Sequence, residues 1–473
     1  MKISQFFSQT LTYGLGEVLN KFFGFMLIPL FTRYLTPEDY GVNSLLALLI
    51  YFIQPMTLLG LGTSSTICYF DSKDPKDKSA TIWTCFLTLL ISSLIPLAVI
   101  SLFSTSLSVF LFKSEEFSTL IVLTMLTCLM INVTSPFIWV LKFENRSTRF
   151  VLLSALSVLT TLSLNILFIV VLGQGIQGWI LAGSLSALVS LGLFAIGSLS
   201  LIPRFSFSIK IFRQLLKLGA PMILSLVFIV VMQHCNRFLL NEISGLKEVG
   251  LYTVGYNFGM IINLFVTAVC FAWPPYFMRF SDDPKKGEES FSEIFNVYVI
   301  CLGSIVFFLF LFSKPVLQFM TAPEFHSAFS IVGLIALANL FYGAFHLLLP
   351  GVYFAKKVVL SLIPQCIASF ICIVSALLLI PFSGMIGAAI SLLMANFTLC
   401  VAQYFVNHFC GFFQPNYDWM KISLYSALFF ILIAVDTLIG HPLSKLIVIP
   451  VYLIGLWGLM GRRVKHLMRW QTA

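Results

Sequence analysis

Apolar residues run along this chain in stretches of twenty or more, and short polar clusters separate the stretches. The stretches do not alternate between apolar and polar positions, as the strands of a membrane barrel do, and a helix of about 20 residues crosses a hydrocarbon core of about 30 Å. The pattern therefore predicts an all-α polytopic membrane protein. Its breaks predict about fourteen spanning helices, near residues 10–33, 42–62, 82–112, 117–141, 150–172, 176–200, 218–240, 249–273, 291–320, 326–350, 358–381, 384–409, 421–440 and 445–461.

The composition agrees with this class. Of the 473 residues, 59% are hydrophobic and 10% are charged, whereas a soluble domain carries about 25% charged residues. The polar connections are too short to hold a soluble catalytic domain. They contain neither the GxxxxGK[ST] phosphate loop of an ATP-driven pump nor an HExxH zinc motif. We therefore expect a transporter rather than an enzyme, with no resident cofactor and no metal site.

The basic residues are distributed unevenly between the two sides of the predicted membrane. Alternating the loops assigns 21 lysines and arginines to the side that holds both termini and six to the other, with Lys21 inside the membrane. Because basic loops stay in the cytoplasm, both termini are predicted to be cytoplasmic, in a bacterial inner membrane. The net charge of +9 then reflects topology, and no nucleic-acid partner is expected.

An internal repeat divides the chain. "TRYLTPEDYG" follows the first predicted span and "NRFLLNEISGLKEVG" follows the seventh, and each runs from an arginine (Arg33, Arg237) to a glycine (Gly41, Gly250). The two arginines are 204 residues apart, which covers six spans and gives both halves the same orientation. Parallel repeats of this kind form two lobes around an axis along the membrane normal. The predicted units are an N-terminal lobe, 1–205, a C-terminal lobe, 206–412, and an appended pair of helices with a basic tail, 413–473.

The repeat segments resemble a known family. "PLFTRYLTPEDYG" and "KLGAPMILSLVFIVVMQHCNRFLL", with the later "FAWPPYF", are similar to the polysaccharide flippases, which share a superfamily with the multidrug and toxin exporters. The resemblance implies alternating-access transfer of undecaprenyl-pyrophosphate-linked oligosaccharide, an O-antigen or exopolysaccharide repeat unit, to the outer leaflet. It also implies membrane lipids and glycan polymerase or assembly proteins as partners.

The first predicted span carries charge where hydrocarbon is expected. Glu17, Asn20 and Lys21 lie inside its apolar run, and a charged residue at the centre of a membrane helix costs about 2.5–3.5 kcal/mol. Because Glu17 and Lys21 are four residues apart, they share a helix face that must contact protein or a water-filled cavity. We expect Lys21 and Asn20 to bind substrate and Glu17 to couple an ion or a proton. Alternatively, the pair neutralises itself and holds the first helix to a neighbour.

The seventh predicted span offers a second polar group. Gln233 and Arg237 lie one turn apart on one face and are expected to bind substrate, with Arg33 as the repeat partner of Arg237. His234 is a candidate proton relay. Alternatively, both arginines extend to the outer headgroups and His234 is a hydrogen-bonded interior residue.

Two basic residues, Lys142 and Arg279, are predicted to lie at the inner mouth and attract phosphate. Moving an anion outward from a negative interior is favourable by about 2.3 kcal/mol per charge per 100 mV, so the membrane potential is one candidate energy source. Coupling to sodium or protons is the other, with Glu17 as the best-placed carboxylate.

Two further functions stay open. A cation-coupled multidrug exporter of the same superfamily would need acidic residues in its cavity, and the deep membrane acids are few, Glu17 and Asp436. A non-transporting membrane scaffold of glycan assembly would tolerate substitution of Glu17, Lys21 and Arg237. The extra pair of spans favours lipid-linked cargo, since similar flippases carry it.

Overall fold

The computed structural model describes Phe25 and residues 27–72, 74–202, 205–439 and 444–460. Within these ranges the chain forms helices and no β-strand, which confirms the all-α polytopic prediction. The α-helices, numbered along the chain, are α1 (Ile28–Tyr34), α2 (Pro37–Leu58), α3 (Leu61–Asp71), α4 (Pro75–Leu102), α5 (Ser104–Phe112), α6 (Ser118–Phe143), α7 (Ser147–Asn165), α8 (Gly175–Ser198), α9 (Ile209–Ser244), α10 (Leu246–Gly259), α11 (Asn263–Phe277), α12 (Glu288–Met320), α13 (Phe329–Leu347), α14 (Pro350–Phe354), α15 (Leu362–Phe409), α16 (Trp419–Ile439) and α17 (Lys445–Met460).

From the third predicted span onward, the helices coincide with the predicted spans. In the described part of the chain, eleven helical segments are long and apolar enough to cross a membrane, and α17 is a shorter apolar helix. The spans predicted at 358–381 and 384–409 follow one another without a loop, because α15 carries both and bends at Gly384, where φ is 50°. Most of the first predicted span lies outside the described residues, and α1 is its final part.

The second span was predicted to end at residue 62, but the helical structure continues well past it. Backbone angles in the left-handed region at Leu59 (φ 51°) and Gly60 (φ 68°) end α2, and α3 then extends to Asp71. The segment "TSSTICYFD" looks too polar for a span. The hydroxyls of Ser64, Ser65 and Thr66 nevertheless donate to carbonyls about one turn back, as Thr66 Oγ1 does to Gly62 at 3.0 Å. The Tyr69 hydroxyl donates to the Glu144 carboxylate at 2.6 Å, so these groups need no water.

The start of α2 is fixed by its own sequence. Thr36 and Asp39 form a reciprocal cap, in which the Thr36 hydroxyl accepts from the Asp39 N–H at 3.2 Å and the Asp39 carboxylate accepts from the Thr36 N–H at 2.9 Å. Pro37 occupies the first helical turn, where its missing N–H costs nothing. The motif "TPED" therefore sets where Gly41 lies on the helix.

Contacts between Cα atoms divide the chain into two compact units. The first holds the described residues up to Val254 with Met320–Phe325 and Ala376–Ala388, and the second holds Gly255–Phe319, His326–Ser375 and the described residues from Ala389. The division into lobes at 1–205, 206–412 and 413–473 stays a prediction.

In the first unit, α9 packs against helices that precede it by more than a hundred residues. Leu61 and Cys68 of α3, Cys85 and Leu89 of α4, and Leu215 of α9 form one buried cluster. Helix association in hydrocarbon depends on close packing and hydrogen bonds rather than on the hydrophobic effect. The fit of these side chains therefore holds the N-terminal part of α9 in place.

In the second unit, a chain of hydroxyl groups holds α16 and α17 to α12. The Tyr425 and Tyr452 hydroxyls are 2.8 Å apart, Tyr452 donates to the Ser304 hydroxyl at 2.9 Å, and Ser304 donates to the Ile300 carbonyl at 2.7 Å. Tyr425 approaches α12 at Gly303, where a Cβ would lie 2.9 Å from its ring. The two appended helices are thus attached by buried polar contacts and not by apolar packing alone.

Replacing Tyr452 with phenylalanine should lower stability. The change removes the hydrogen bonds of the Tyr452 hydroxyl with Tyr425 and Ser304, and a buried hydrogen bond contributes about 1 kcal/mol in soluble proteins and about 0.6 kcal/mol in membrane proteins. We expect a lower midpoint of thermal unfolding in detergent for Tyr452→Phe. Tyr353→Phe, at an exposed tyrosine, is the matched control, and equal midpoints for the two variants would contradict the assignment.

Candidate functional site

The charged group of the first span lies outside the described residues. Glu17, Asn20 and Lys21 all precede Phe25, so their predicted roles in substrate binding and coupling stay predictions.

The two arginines of the repeat have different surroundings. Arg33 is exposed at the end of α1, whereas Arg237, on α9, is only 5% exposed. A guanidinium is costly to bury in a membrane protein and marks a functional position by default. Of the two, Arg237 is therefore the one whose burial points to a functional role.

His234 lies against a residue that the sequence did not single out. Its ring stacks on Tyr51 of α2, with 4.1 Å between ring centroids and 10° between ring planes. Gln233, its neighbour, is half-buried. The stack joins α2 to α9, and these two helices were assigned to different repeats from the sequence.

One turn from Tyr51, α2 presents an amide to a buried polar cluster. Gln54 donates to Asn132 Oδ1 at 3.4 Å, and Asn132 Nδ2 donates to the hydroxyls of Thr57 at 2.8 Å and Ser93 at 3.0 Å. Asn132 is fully buried. The cluster links α2, α4 and α6, and "YFIQP" in the second apolar run is the sequence signal for it.

The break after α2 lies beside this cluster. Pro55 and the left-handed residues at 59 and 60 interrupt the helix, and the Ser92 hydroxyl donates to the Thr57 carbonyl at 2.7 Å. Backbone groups in the hydrocarbon region must find partners inside the protein. In transporters, helices broken in this way commonly line the substrate or ion site.

A second break, at Gly384, is held by Glu248 of α10. The Glu248 carboxylate accepts from the Met385 N–H at 3.1 Å, and a Cβ at Gly384 would lie 2.9 Å from the same oxygen. Nearby, Asn236 of α9 donates to the Ala388 carbonyl at 3.0 Å. These contacts tie the second half of α15 to α9 and α10.

Polar contacts also connect α5 to the end of α9. Lys113 forms an ion pair with Glu242 at 3.1 Å, and Asn241 donates to the Leu111 carbonyl at 2.8 Å. Exposed ion pairs contribute little to stability, about 0–1 kcal/mol. The buried Asn241 bond is therefore the stronger part of this connection.

The two residues predicted at the inner mouth lie in separate units. Lys142, at the end of α6, is half-buried with Nζ 5.0 Å from the centroid of the Phe150 ring. Arg279 is exposed in the short 3-10 turn Met278–Phe280. Their predicted role in attracting phosphate stays a prediction.

The polar residues of α2 and α9 described above suit an anionic or hydroxyl-rich molecule. Arg237, His234, Gln233 and Gln54 supply a guanidinium, an imidazole and two amides, which bind phosphate and sugars through hydrogen bonds. Among the described residues, no group of three or more His, Cys, Asp or Glu side chains is arranged to hold a metal ion.

Known proteins share both sequence and fold with this chain. The succinoglycan biosynthesis transport protein ExoT of Rhizobium meliloti is 22% identical over 339 residues, which cover 70% of this chain and 67% of that protein. The inward closed structure of the lipid II flippase MurJ matches with a TM-score of 0.74 at 17% identity, covering 96% of this chain and 100% of that one. An inward-facing multidrug resistance MATE transporter matches with a TM-score of 0.66 at 17% identity, covering 85% and 94%.

The matches to solved structures show the fold of this chain, and its match to a family model shows its family. Residues 7–281, more than half of the chain, match the model of the family described as polysaccharide biosynthesis protein. The resemblance noted in the sequence is thereby confirmed. This chain belongs to the polysaccharide biosynthesis protein family, and it shares its fold with the MATE transporter and with the lipid II flippase MurJ.

Proposed function

We propose that this protein is a flippase that moves undecaprenyl-pyrophosphate-linked oligosaccharide, an O-antigen or exopolysaccharide repeat unit, across the bacterial inner membrane by alternating access. The observation that carries the proposal is the burial of Arg237 on a membrane helix, beside Gln233 and His234. The family, the succinoglycan transport relative and the fold shared with a lipid II flippase support it.

Arg237 is suited to the charged part of such a cargo. A guanidinium presents donors in a planar fork that matches two phosphate oxygens at once. The desolvation cost of burying the cation is offset when an anion binds beside it. The amides of Gln233 and Gln54 would donate to and accept from sugar hydroxyls, which carry both kinds of group.

The energy for transfer need not come from ATP. With both termini in the cytoplasm, a pyrophosphate moves outward from a negative interior, which releases about 2.3 kcal/mol per charge per 100 mV. Coupling to sodium or protons is the other source, with Glu17 and His234 as the residues that would carry it. Lys142 and Arg279 would attract the headgroup at the inner face.

The competing function is a cation-coupled multidrug exporter, which the MATE-like fold also permits. Such an exporter needs carboxylates to bind cationic drugs. In the described part of the first unit, the acids of α2, α9 and α10 lie in the first or last turn of their helices, at Glu38, Asp39, Glu242 and Glu248. The deep polar residues there are basic or neutral, which favours an anionic cargo.

Loss of the Arg237 charge should block transport. In cells that depend on this protein for a surface glycan, we expect Arg237→Gln to abolish the glycan and to accumulate its lipid-linked precursor, because the phosphate loses its bidentate partner. Arg237→Lys should restore part of the activity, since the charge returns without the fork. Both are measured by surface glycan staining and lipid extraction.

Lys314→Gln is the control for this experiment, because it removes the same charge at an exposed position. A normal glycan with Arg237→Gln at equal protein level would contradict the site and would favour the scaffold function.

Lys21 offers a second test of the same cargo. We expect Lys21→Ala to lower surface glycan and raise the lipid-linked precursor, because the first span would lose its phosphate-binding cation. Lys21→Arg, which keeps the charge, is the matched control. Equal glycan levels in Lys21→Ala and in the unmodified protein would remove Lys21 from the site.

A further inference from the structure

The glycines that open the corresponding helices of the two repeats pack against each other's backbone. A Cβ added to Gly41 of α2 would lie 2.9 Å from the carbonyl carbon of Leu246 and would overlap its oxygen. A Cβ added to Gly250 of α10 would lie 2.6 Å from the carbonyl carbon of Pro37 and would also overlap its oxygen. Each glycine thus meets the residue four positions before the other, so the contact is reciprocal. We call it the first crossing.

A second contact of the same kind lies where α2 ends. A Cβ added to Gly60 would lie 2.8 Å from the carbonyl carbon of Gly219 on α9, and one added to Gly219 would lie 3.2 Å from the carbonyl carbon of Gly60. Here too, backbone contacts backbone without any intervening side chain. We call it the second crossing, and it again joins an element of the first repeat to one of the second.

The two crossings are spaced like the two faces of a membrane. Gly41 and Gly60 are nineteen residues apart on nearly continuous helix, which is about 28 Å. The hydrocarbon core of a bilayer is about 30 Å thick. Between the crossings, α2 carries Tyr51, which stacks on His234, and Gln54, which bonds Asn132. A polar middle is therefore bounded at each end by a backbone contact.

Buried side chains surround each crossing. At the first, Tyr40 is 2% exposed, with its ring centroid 5.0 Å from that of Trp179 and 5.2 Å from that of Phe325. At the second, Leu61 and Leu215 are fully buried. These apolar surroundings exclude water from both contacts.

We infer that the two crossings are the two gates of alternating access, the first at the outer face and the second at the inner face, and that each opens while the other stays closed. This inference rests on the proposed transport function. A glycine contact suits a gate because it brings backbones together tightly yet interlocks no side chains. Its attraction consists of dispersion and weak Cα–H···O contacts, so a small tilt of one helix separates it.

The test is the accessibility of a reporter thiol between the crossings. Gln54→Cys serves as the reporter, in a chain whose exposed native cysteines, Cys301, Cys366 and Cys410, are changed to serine. A membrane-impermeant maleimide is applied to intact spheroplasts for the outer side and to inverted vesicles for the inner side. The measurement is the labelling rate from each side.

The two gates predict opposite responses. Gly250→Ala should raise the labelling rate several-fold from the outer side only, because its Cβ prevents the first crossing from closing. Gly219→Ala should raise it several-fold from the inner side only. Gly62→Ala and Gly192→Ala are matched controls, because the nearest atom to a Cβ is 3.7 Å away at Gly62 and none lies within 4 Å at Gly192. Unchanged rates in both variants, or a rise from the same side, would overturn the inference.

A cross-link provides the same test without altering any glycine. In a chain that keeps Gln54, Lys113→Cys with Glu242→Cys, joined by a short bis-maleimide, should hold the first crossing closed and stop glycan export, whereas the untreated double mutant should export. Continued export by the cross-linked protein would overturn the inference. Labelling of the reporter thiol does not require cargo, so the two proposals can fail separately. If the glycine variants change the labelling rate as predicted but Arg237→Gln leaves the surface glycan normal, the gates stand and the assignment of the cargo is wrong.

Discussion

Polar groups in hydrocarbon must find partners within the protein, and this constraint organises the molecule. It explains why Asn132 binds three neighbours at once, and why the carbonyl freed near the end of α2 accepts from Ser92. It also explains why Glu248 binds the backbone at the bend of α15. The break after α2 and the bend of α15 are thus each matched by a side chain from another helix.

The same constraint explains why the polar residues of the candidate site point to a function. Hydrogen-bonding side chains and one buried guanidinium are placed along α2 and α9, where apolar residues would have been cheaper. Ionisable residues inside membrane helices commonly mark the path of a substrate or an ion. A sugar chain on a pyrophosphate has that property, because its hydroxyls and charges need partners at every depth of the bilayer.

Much of the fold was readable from the sequence, because a run of twenty apolar residues has few alternatives to a helix. The internal repeat, in which Gly41 and Gly250 follow matching arginines, stays a prediction. The contacts between repeats were not readable. Nothing in one sequence states that Tyr51 faces His234, that Gly60 meets Gly219, or that Arg237 is buried while Arg33 is exposed, because these depend on how distant helices pack. The break at Leu59 and Gly60 was missed because the polar residues after it looked like a loop.

The central claim is that this protein carries an anionic, sugar-bearing lipid across a bilayer. The most direct measurement uses purified protein in liposomes with a fluorescent short-chain pyrophosphate-linked oligosaccharide and, separately, a fluorescent cationic amphiphile. Quenching from one side reports transfer of each. If the proposed function is right, the protein transfers the glycolipid, and the rate of transfer rises when the membrane potential drives the anion. It does not transfer the cationic amphiphile. Transfer of the cation with a stationary glycolipid would contradict it.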